Sequence, residues 1–206
     1  CKTVLFSDFD FIDEFGKKIK LPTRNQITPS MNTEQLIISN IKRNSMGGCT
    51  FLIPRYAYKD IGGFSENIRT ISDYDYWYRL LFAGYQFHYI PKVLTSNRMH
   101  SQQVTYKASD VGQKESEEFH EYVVKQLAVS SQYMRAENFM NIAYYMSCKG
   151  IKNVPDLAYK YALQCRNDVL IRTKIRIQKG LSKIHYTGRS IAKAFYIRHV
   201  VFKAKL

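Results

Sequence analysis

Residues 3 to 10 alternate with a period of two: Val4, Phe6, Asp8 and Asp10 fall on one side, and Leu5, Ser7 and Phe9 on the other. That period predicts a strand. Asp13-Glu14-Phe15-Gly16 reads as a turn into the short run Lys18-Ile19-Lys20-Leu21, so the chain opens with a hairpin. Asn32 or Thr33 is placed to cap a short helix through Gln35-Leu36-Ile37-Ile38. Gly47-Gly48 then breaks the chain before an apolar strand, Cys49 to Ile53, and Pro54 to Asp60 fits a short helix stopped by Gly62-Gly63.

The best-defined helix of the first half follows. Tyr74, Trp77, Tyr78 and Leu81 recur at i, i+3, i+4 and i+7 until Gly84, with Ser72 placed as cap and Asp75 as the capping-box acid. Strands are expected at Gln86 to Ile90 and Val93 to Met99, separated by Pro91. Beyond about residue 112 the pattern is helical only, over roughly 113–130, 134–148 and 155–166, before a basic segment. The expectation is an α/β fold: a mixed sheet over 1–110, a helical extension over 111–168 and a basic amphipathic helical tail over 169–206.

Composition adds bounds. With 45% hydrophobic and 23% charged residues, the 206-residue chain should be globular, and 16 Tyr with 12 Phe suit a packed core. Four cysteines, at 1, 49, 148 and 165, form neither a disulfide frame nor a zinc spacing, which makes a reducing cytosol the default. No long uninterrupted apolar run and no charged-then-apolar leader is present. A first residue of Cys, opening almost directly into a strand, reads as a fragment of a longer protein. The net charge of +14 is uneven: residues 169–206 hold ten Lys and Arg and no acid, which leaves 21 basic against 17 acidic groups elsewhere.

The pair Asp8 and Asp10 admits three readings: a metal-binding pair, a phosphatase nucleophile with its acid partner, or the polar end of a strand. A haloacid-dehalogenase-type phosphatase also ends an apolar strand in Asp-x-Asp. Here Phe11-Ile12 stand where that family has Gly-Thr or a close variant, and no convincing later lysine and acidic pair follows. The strand whose polar end leaves the core is the strongest of the three.

Residues 62 to 103 are more specific: GGFSENIRTISDYDYWYRLLFAGYQFHYIPKVLTSNRMHSQQ. This segment strongly resembles the C-terminal half of the catalytic domain of family 2 glycosyltransferases. Their pattern runs GGF(D/S)E, EDYDLWLRL, a strand ending in Ile-Pro, and Tyr/Asn-Arg-x-His followed by Gln or Ser. GGCTFLIPR upstream resembles the family's strand before the GGF loop, and SDFDFIDEFGK resembles a mid-domain element that follows the metal motif. The resemblance spans about residues 1 to 110 and implies a partial GT-A (Rossmann-like) fold. It also implies that the Asp-x-Asp motif and the nucleotide-binding half lie upstream of Cys1.

The resemblance implies inverting transfer of a sugar from a nucleotide-diphosphate donor to a carbohydrate or lipid-linked hydroxyl acceptor, with Mg2+ or Mn2+ as cofactor, in polysaccharide or envelope glycoconjugate synthesis. Asp73 matches the catalytic base, although the Glu that usually precedes it is Ser72 here. Read alone, Asp73 and Asp75 merely favour a helix N-terminus. Gly48, Cys49, Thr50, Asp75, Trp77 and Arg98 are carried over as donor- or acceptor-binding positions, and His100 as a metal or diphosphate contact. If Arg98 and His100 share a strand, both leave it on one side.

In the tail, Arg172, Arg176, Lys179 and Lys183 follow helical spacing, while Leu170, Ile177, Leu181 and Ile184 form an apolar stripe. An anionic membrane surface fits this, nucleic acid is the less favoured partner, and a helix docked on its own domain is the plain alternative. The expected place is the cytoplasm, peripheral to the inner face of the cell membrane. The competing class is a non-enzymatic helical module that binds membrane or nucleic acid.

Overall fold

The computed structural model describes residues 2–19, 28–42, 46–100, 109–130 and 132–203, with side chains of the last helix described to Thr187. The expected run through Lys20 and Leu21, the motif's end at 101–103 and residues 204–206 lie outside the described residues. The chain forms two compact units, 1–126 and 127–206.

In the first unit a mixed sheet is built around β1 (Thr3–Ile12). Strand β2 (Lys18–Ile19) pairs antiparallel with Phe11 and Ile12, and β3 (Phe51–Leu52) antiparallel with Leu5 and Phe6. Strand β4 (Gln86–Arg98) runs parallel to β1 along its whole length. The expected hairpin forms because Asp13 Oδ1 accepts the N–H groups of Phe15 and Lys17 at 3.0 and 2.8 Å, and Gly16 supplies φ +87°. Two strands were expected on either side of Pro91. Instead β4 continues through it, because the register slips opposite Ser7 and Asp8 and the bulge takes up a residue with no N–H to donate.

Helices α1 (Thr33–Lys42), α2 (Arg55–Ile61), α3 (Ser72–Phe82) and, after β4, most of α4 (Ser109–Val129) complete this unit, together with a 3-10 turn at Gly48–Thr50. Asn32 caps α1 reciprocally with Gln35: its Oδ1 accepts the Gln35 N–H at 2.9 Å, and Gln35 Oε1 accepts the Asn32 N–H at 3.0 Å. The expected strand from Cys49 to Ile53 is shorter, since Gly48 to Thr50 close that turn first.

Helix α3 is the hub, and it is buried on more than the one stripe expected. Tyr74 through Tyr78 are all buried, as are Leu80 and Leu81. Its sheet-facing side stacks Trp77 on Phe51 with ring centroids 3.8 Å apart, and Phe51 in turn stacks on Phe6 at 5.3 Å. On another side the Tyr74 and Tyr78 hydroxyls donate to the carbonyls of Asn40 and Ile37 in α1, and both rings meet Phe119 of α4. A buried tyrosine is tolerated there because its hydroxyl finds a backbone acceptor.

The second unit packs α5 (Ala136–Cys148), α6 (Asn153–Cys165) and α7 (Val169–Lys203) against one another. Phe139, Ile142 and Met146 of α5 are fully buried, each contributing roughly 1.5–3 kcal/mol by burial. Asp168 starts α7: its Oδ1 accepts the Ile171 N–H at 2.8 Å, which with Arg166 holds the carboxyl below its ordinary value. Helix α7 docks through Ile171, Ile175 and Ser182, whereas Leu170, Ile177, Leu181 and Ile184 face outward. The apolar stripe read from the sequence is therefore not the docking face. Among the described residues no helix is long and apolar enough to cross a membrane. The boundary expected at 110/111 lies at the start of α4, and the division between the units falls near its end.

Candidate functional site

The start of α3 meets the glycine turn before β3, and this junction gathers four of the positions singled out above. Asp73 lies in the first turn of α3, and its Oδ1 accepts the Tyr74 N–H at 2.7 Å. Its Oδ2 stands 2.6 Å from the point that a Cβ on Gly48 would occupy, so the carboxylate reaches the turn only because residue 48 has no side chain. Burial pushes the Asp73 carboxyl above its ordinary value, outweighing the backbone N–H bonds that act in the opposite direction. A carboxylate more basic than usual, beside an open turn, is suited to taking a proton.

The turn is held locally. Thr50 is buried, and both its N–H and its hydroxyl donate to the Gly47 carbonyl, at 3.0 and 2.8 Å. The Phe9 ring of β1 packs where a Cβ on Gly47 would sit, 2.7 Å from its nearest atom. Cys49 is exposed, with its Sγ 3.8 Å from Thr95 Oγ1 of β4. Gly48, Cys49, Thr50 and Asp73 are thus neighbours at one end of the sheet, with Phe9 and Thr95 beside them.

The approach to α3 is fixed from a distance. Ser72 is the first helical residue, and no side chain caps the helix, so the expected Ser72–Asp75 capping box does not form. Glu115 of α4 instead holds the two residues just before the helix entry: its Oε1 accepts the Arg69 N–H and its Oε2 the Thr70 N–H, each at 2.9 Å, and Oε2 also accepts the Thr70 hydroxyl. These bonds hold the Glu115 carboxyl below its ordinary value, the Thr70 hydroxyl being the largest cause.

The remaining positions lie elsewhere. Trp77 is 2% exposed and stacked on Phe51, a core residue whose Nε1 has no hydrogen-bond partner among the described residues. Asp75 is 8% exposed and paired to Arg79 Nε at 2.8 Å. Arg79 also donates to the carbonyls of Ile61 and Gly63, tying the GGF loop to α3. This pair borders a shallow cavity of about 350 Å³ with Gly63, Ser65 and Tyr122. Arg98 clasps the first hairpin through the Asp13 and Glu14 carbonyls, at 3.0 and 2.9 Å. Strand β4 ends at Arg98, so His100 is exposed beyond it, and strand alternation no longer aligns the two side chains.

Asp8 and Asp10 are both engaged. Asp8 Oδ2 accepts the Tyr89 hydroxyl at 2.6 Å, while Asp10 takes the Ser96 hydroxyl and pairs with Lys18 Nζ at 2.9 Å. The Ser96 bond first, then Lys18, holds the Asp10 carboxyl low. Among the described residues no three His, Cys, Asp or Glu side chains come together as a cation site. Glu115, Phe9 and Thr95 are the neighbours that local sequence patterns miss. Their only signal is long-range contact.

Comparison with known proteins gives a coarse answer. The chain is similar to an uncharacterized glycosyltransferase of Rickettsia felis, 29% identical over 108 residues, covering 52% of this chain and 18% of that protein. It is 26% identical over 191 residues to one of Rickettsia conorii, covering 87% of this chain and 30% of that protein. One of Rickettsia typhi is 28% identical over 107 residues, covering 51% and 32%. The chain therefore spans less than a third of each of these relatives. No family model matches, and no solved structure matches.

Proposed function

We propose that residues 1–110 are the acceptor-side part of an inverting family 2 glycosyltransferase of GT-A fold, with Asp73 as its catalytic base. The observation that carries this reading is the Asp73 carboxylate, lifted in basicity by burial and set against Gly48 at an open turn. It sits in a chain whose relatives bear glycosyltransferase names. In the proposed step an acceptor hydroxyl oxygen attacks the anomeric carbon as its proton passes to Asp73. The bond from that carbon to the diphosphate oxygen breaks, and the nucleoside diphosphate leaves with the electron pair.

On this reading the donor is a nucleotide-diphosphate sugar and the acceptor a carbohydrate or lipid-linked hydroxyl, at the cytoplasmic face of the cell envelope. The nucleotide and its Mg2+ or Mn2+ are assigned to sequence outside these 206 residues, and no step here is routed through the metal. Gly48, Cys49 and Thr50 form the acceptor side of the cleft in this proposal. Arg98 and His100 are assigned to the donor side.

The test is Asp73→Asn in the full-length protein, assayed for nucleoside-diphosphate release with a panel of nucleotide-diphosphate sugars and for donor binding by calorimetry. Transfer should fall by about 10²- to 10⁴-fold, the usual worth of a positioned base, with donor binding retained. Transfer within a few-fold of the original rate sinks the assignment.

A further inference from the structure

A cavity of about 560 Å³ lies within the second unit, where the turn between α5 and α6 faces α7. A space of that size is in the range that holds small organic ligands. Its lining combines two kinds of surface. Tyr159, Pro155, Ile151 and the Tyr186 ring give it apolar walls, and the Tyr186 ring occupies the place that a Cβ on Gly150 would take. Gly150 has φ +82°, so glycine serves there both for the backbone turn and for the close approach of the ring.

The rim is cationic. Lys152, Lys179 and Lys183 line the cavity against a single acid, Asp156. Lys179 Nζ pairs with Asp156 at 2.9 Å and lies 5.1 Å from the centroid of the Tyr159 ring. Arg172 and Arg176 continue the helical row that holds Lys179 and Lys183, extending the positive field along α7. Helix α6 begins beside the cavity at Asn153 with no side-chain cap, which adds the positive end of its dipole.

We propose that this cavity binds an organic phosphate ester, its ring or chain between Tyr159 and Tyr186 and its phosphate at Lys152 and Lys183. An isolated inorganic anion leaves the apolar walls unused, and a neutral ring leaves the lysines unused. The ester satisfies both. The site lies in a different unit from Asp73 and stands whether or not the glycosyl-transfer reading holds.

The test is calorimetric titration of the 206-residue chain with phenyl phosphate, beside inorganic phosphate and benzyl alcohol. Phenyl phosphate should bind saturably at one site, at least tenfold tighter than either control. The double variant Lys152→Ala/Lys183→Ala, two exposed positions, should weaken it at least tenfold. Asp73→Asn should bind as the unaltered chain does. Phenyl phosphate no tighter than inorganic phosphate, or binding that survives the double variant, overturns the proposal.

Discussion

Asp73 Oδ2 stands 2.6 Å from where a Cβ on Gly48 would lie, so the glycine and the carboxylate occupy one shared space. In Gly48→Ala the side chain at 73 must rotate away. Gly48 is exposed, and the displaced group is the end of a flexible side chain, so stability should change by less than about 1 kcal/mol. Transfer by the full-length protein should drop roughly 100-fold, the scale set by misplacing a reacting group by about 1 Å. Unchanged transfer in Gly48→Ala would mean that Asp73 needs no access to the turn.

The same carboxyl makes a prediction about stability. Burial raises its folded-state pKa above the ordinary 3.8, so the ionised form is the disfavoured one in the folded protein. The stability associated with the protonated form is fully present below the unfolded pKa and is lost as pH rises through the folded pKa. Asp73→Asn should therefore be at least as stable as the original at pH 7, with the difference vanishing below pH 3.8. Denaturant melts at both pH values check this, and a variant that loses stability at pH 7 contradicts it.

Glu115 carries the opposite sign. Its pKa is lowered, so its contribution is present above the unfolded value of 4.5 and is lost as pH falls through the folded value. Glu115→Ala strands the N–H groups of Arg69 and Thr70 just before Asp73. The cost should be about 1–2 kcal/mol at pH 7. Glu115→Gln should retain part of that stability, since the amide oxygen still accepts one bond. In both variants transfer should fall while donor binding holds. Full activity in Glu115→Ala would show that the loop keeps its place without the clasp.

What the sequence makes legible follows from the range of the interactions. The β1 alternation, the Asp13 turn, the Asn32 cap and the helices of the second unit rest on contacts a few residues apart, and they fall within a few residues of where periodicity puts them. Pro91 reads as a strand break because a missing N–H is local knowledge, whereas the bulge that absorbs it depends on β1, some eighty residues earlier. The Ser72–Asp75 box is likewise a local expectation, whereas the contact that fixes the approach to α3 comes from Glu115, 45 residues beyond Thr70. Gly48 and Asp73 were both picked out by pattern, but that one needs the other's missing Cβ is a fact of tertiary structure. Trp77 illustrates the reverse. The resemblance carries it over as a binding position, and stacking on Phe51 makes it core.

Helix α7 shows Ile177 at 55% and Ile184 at 71% exposure, with Leu170 and Leu181 also outward, on a segment whose 169–206 stretch holds ten basic residues and no acid. Because Ile171, Ile175 and Ser182 make the docking face, the outward stripe is left to water in the isolated chain. A second copy would bring two strongly positive helices together, so an anionic surface is the complementary partner, at roughly 1 kcal/mol per basic residue near it. The chain should float with vesicles of phosphatidylglycerol and phosphatidylcholine but not with phosphatidylcholine alone. Raising salt to about 0.5 M should release most of it, since the Debye length shortens to a few ångströms. The double variant Ile177→Ser/Ile184→Ser should weaken flotation about tenfold while leaving helical content unchanged, because both residues are exposed. Equal binding to both vesicle types, or tighter binding to a duplex of nucleic acid than to the anionic vesicles, would assign the tail to a different partner.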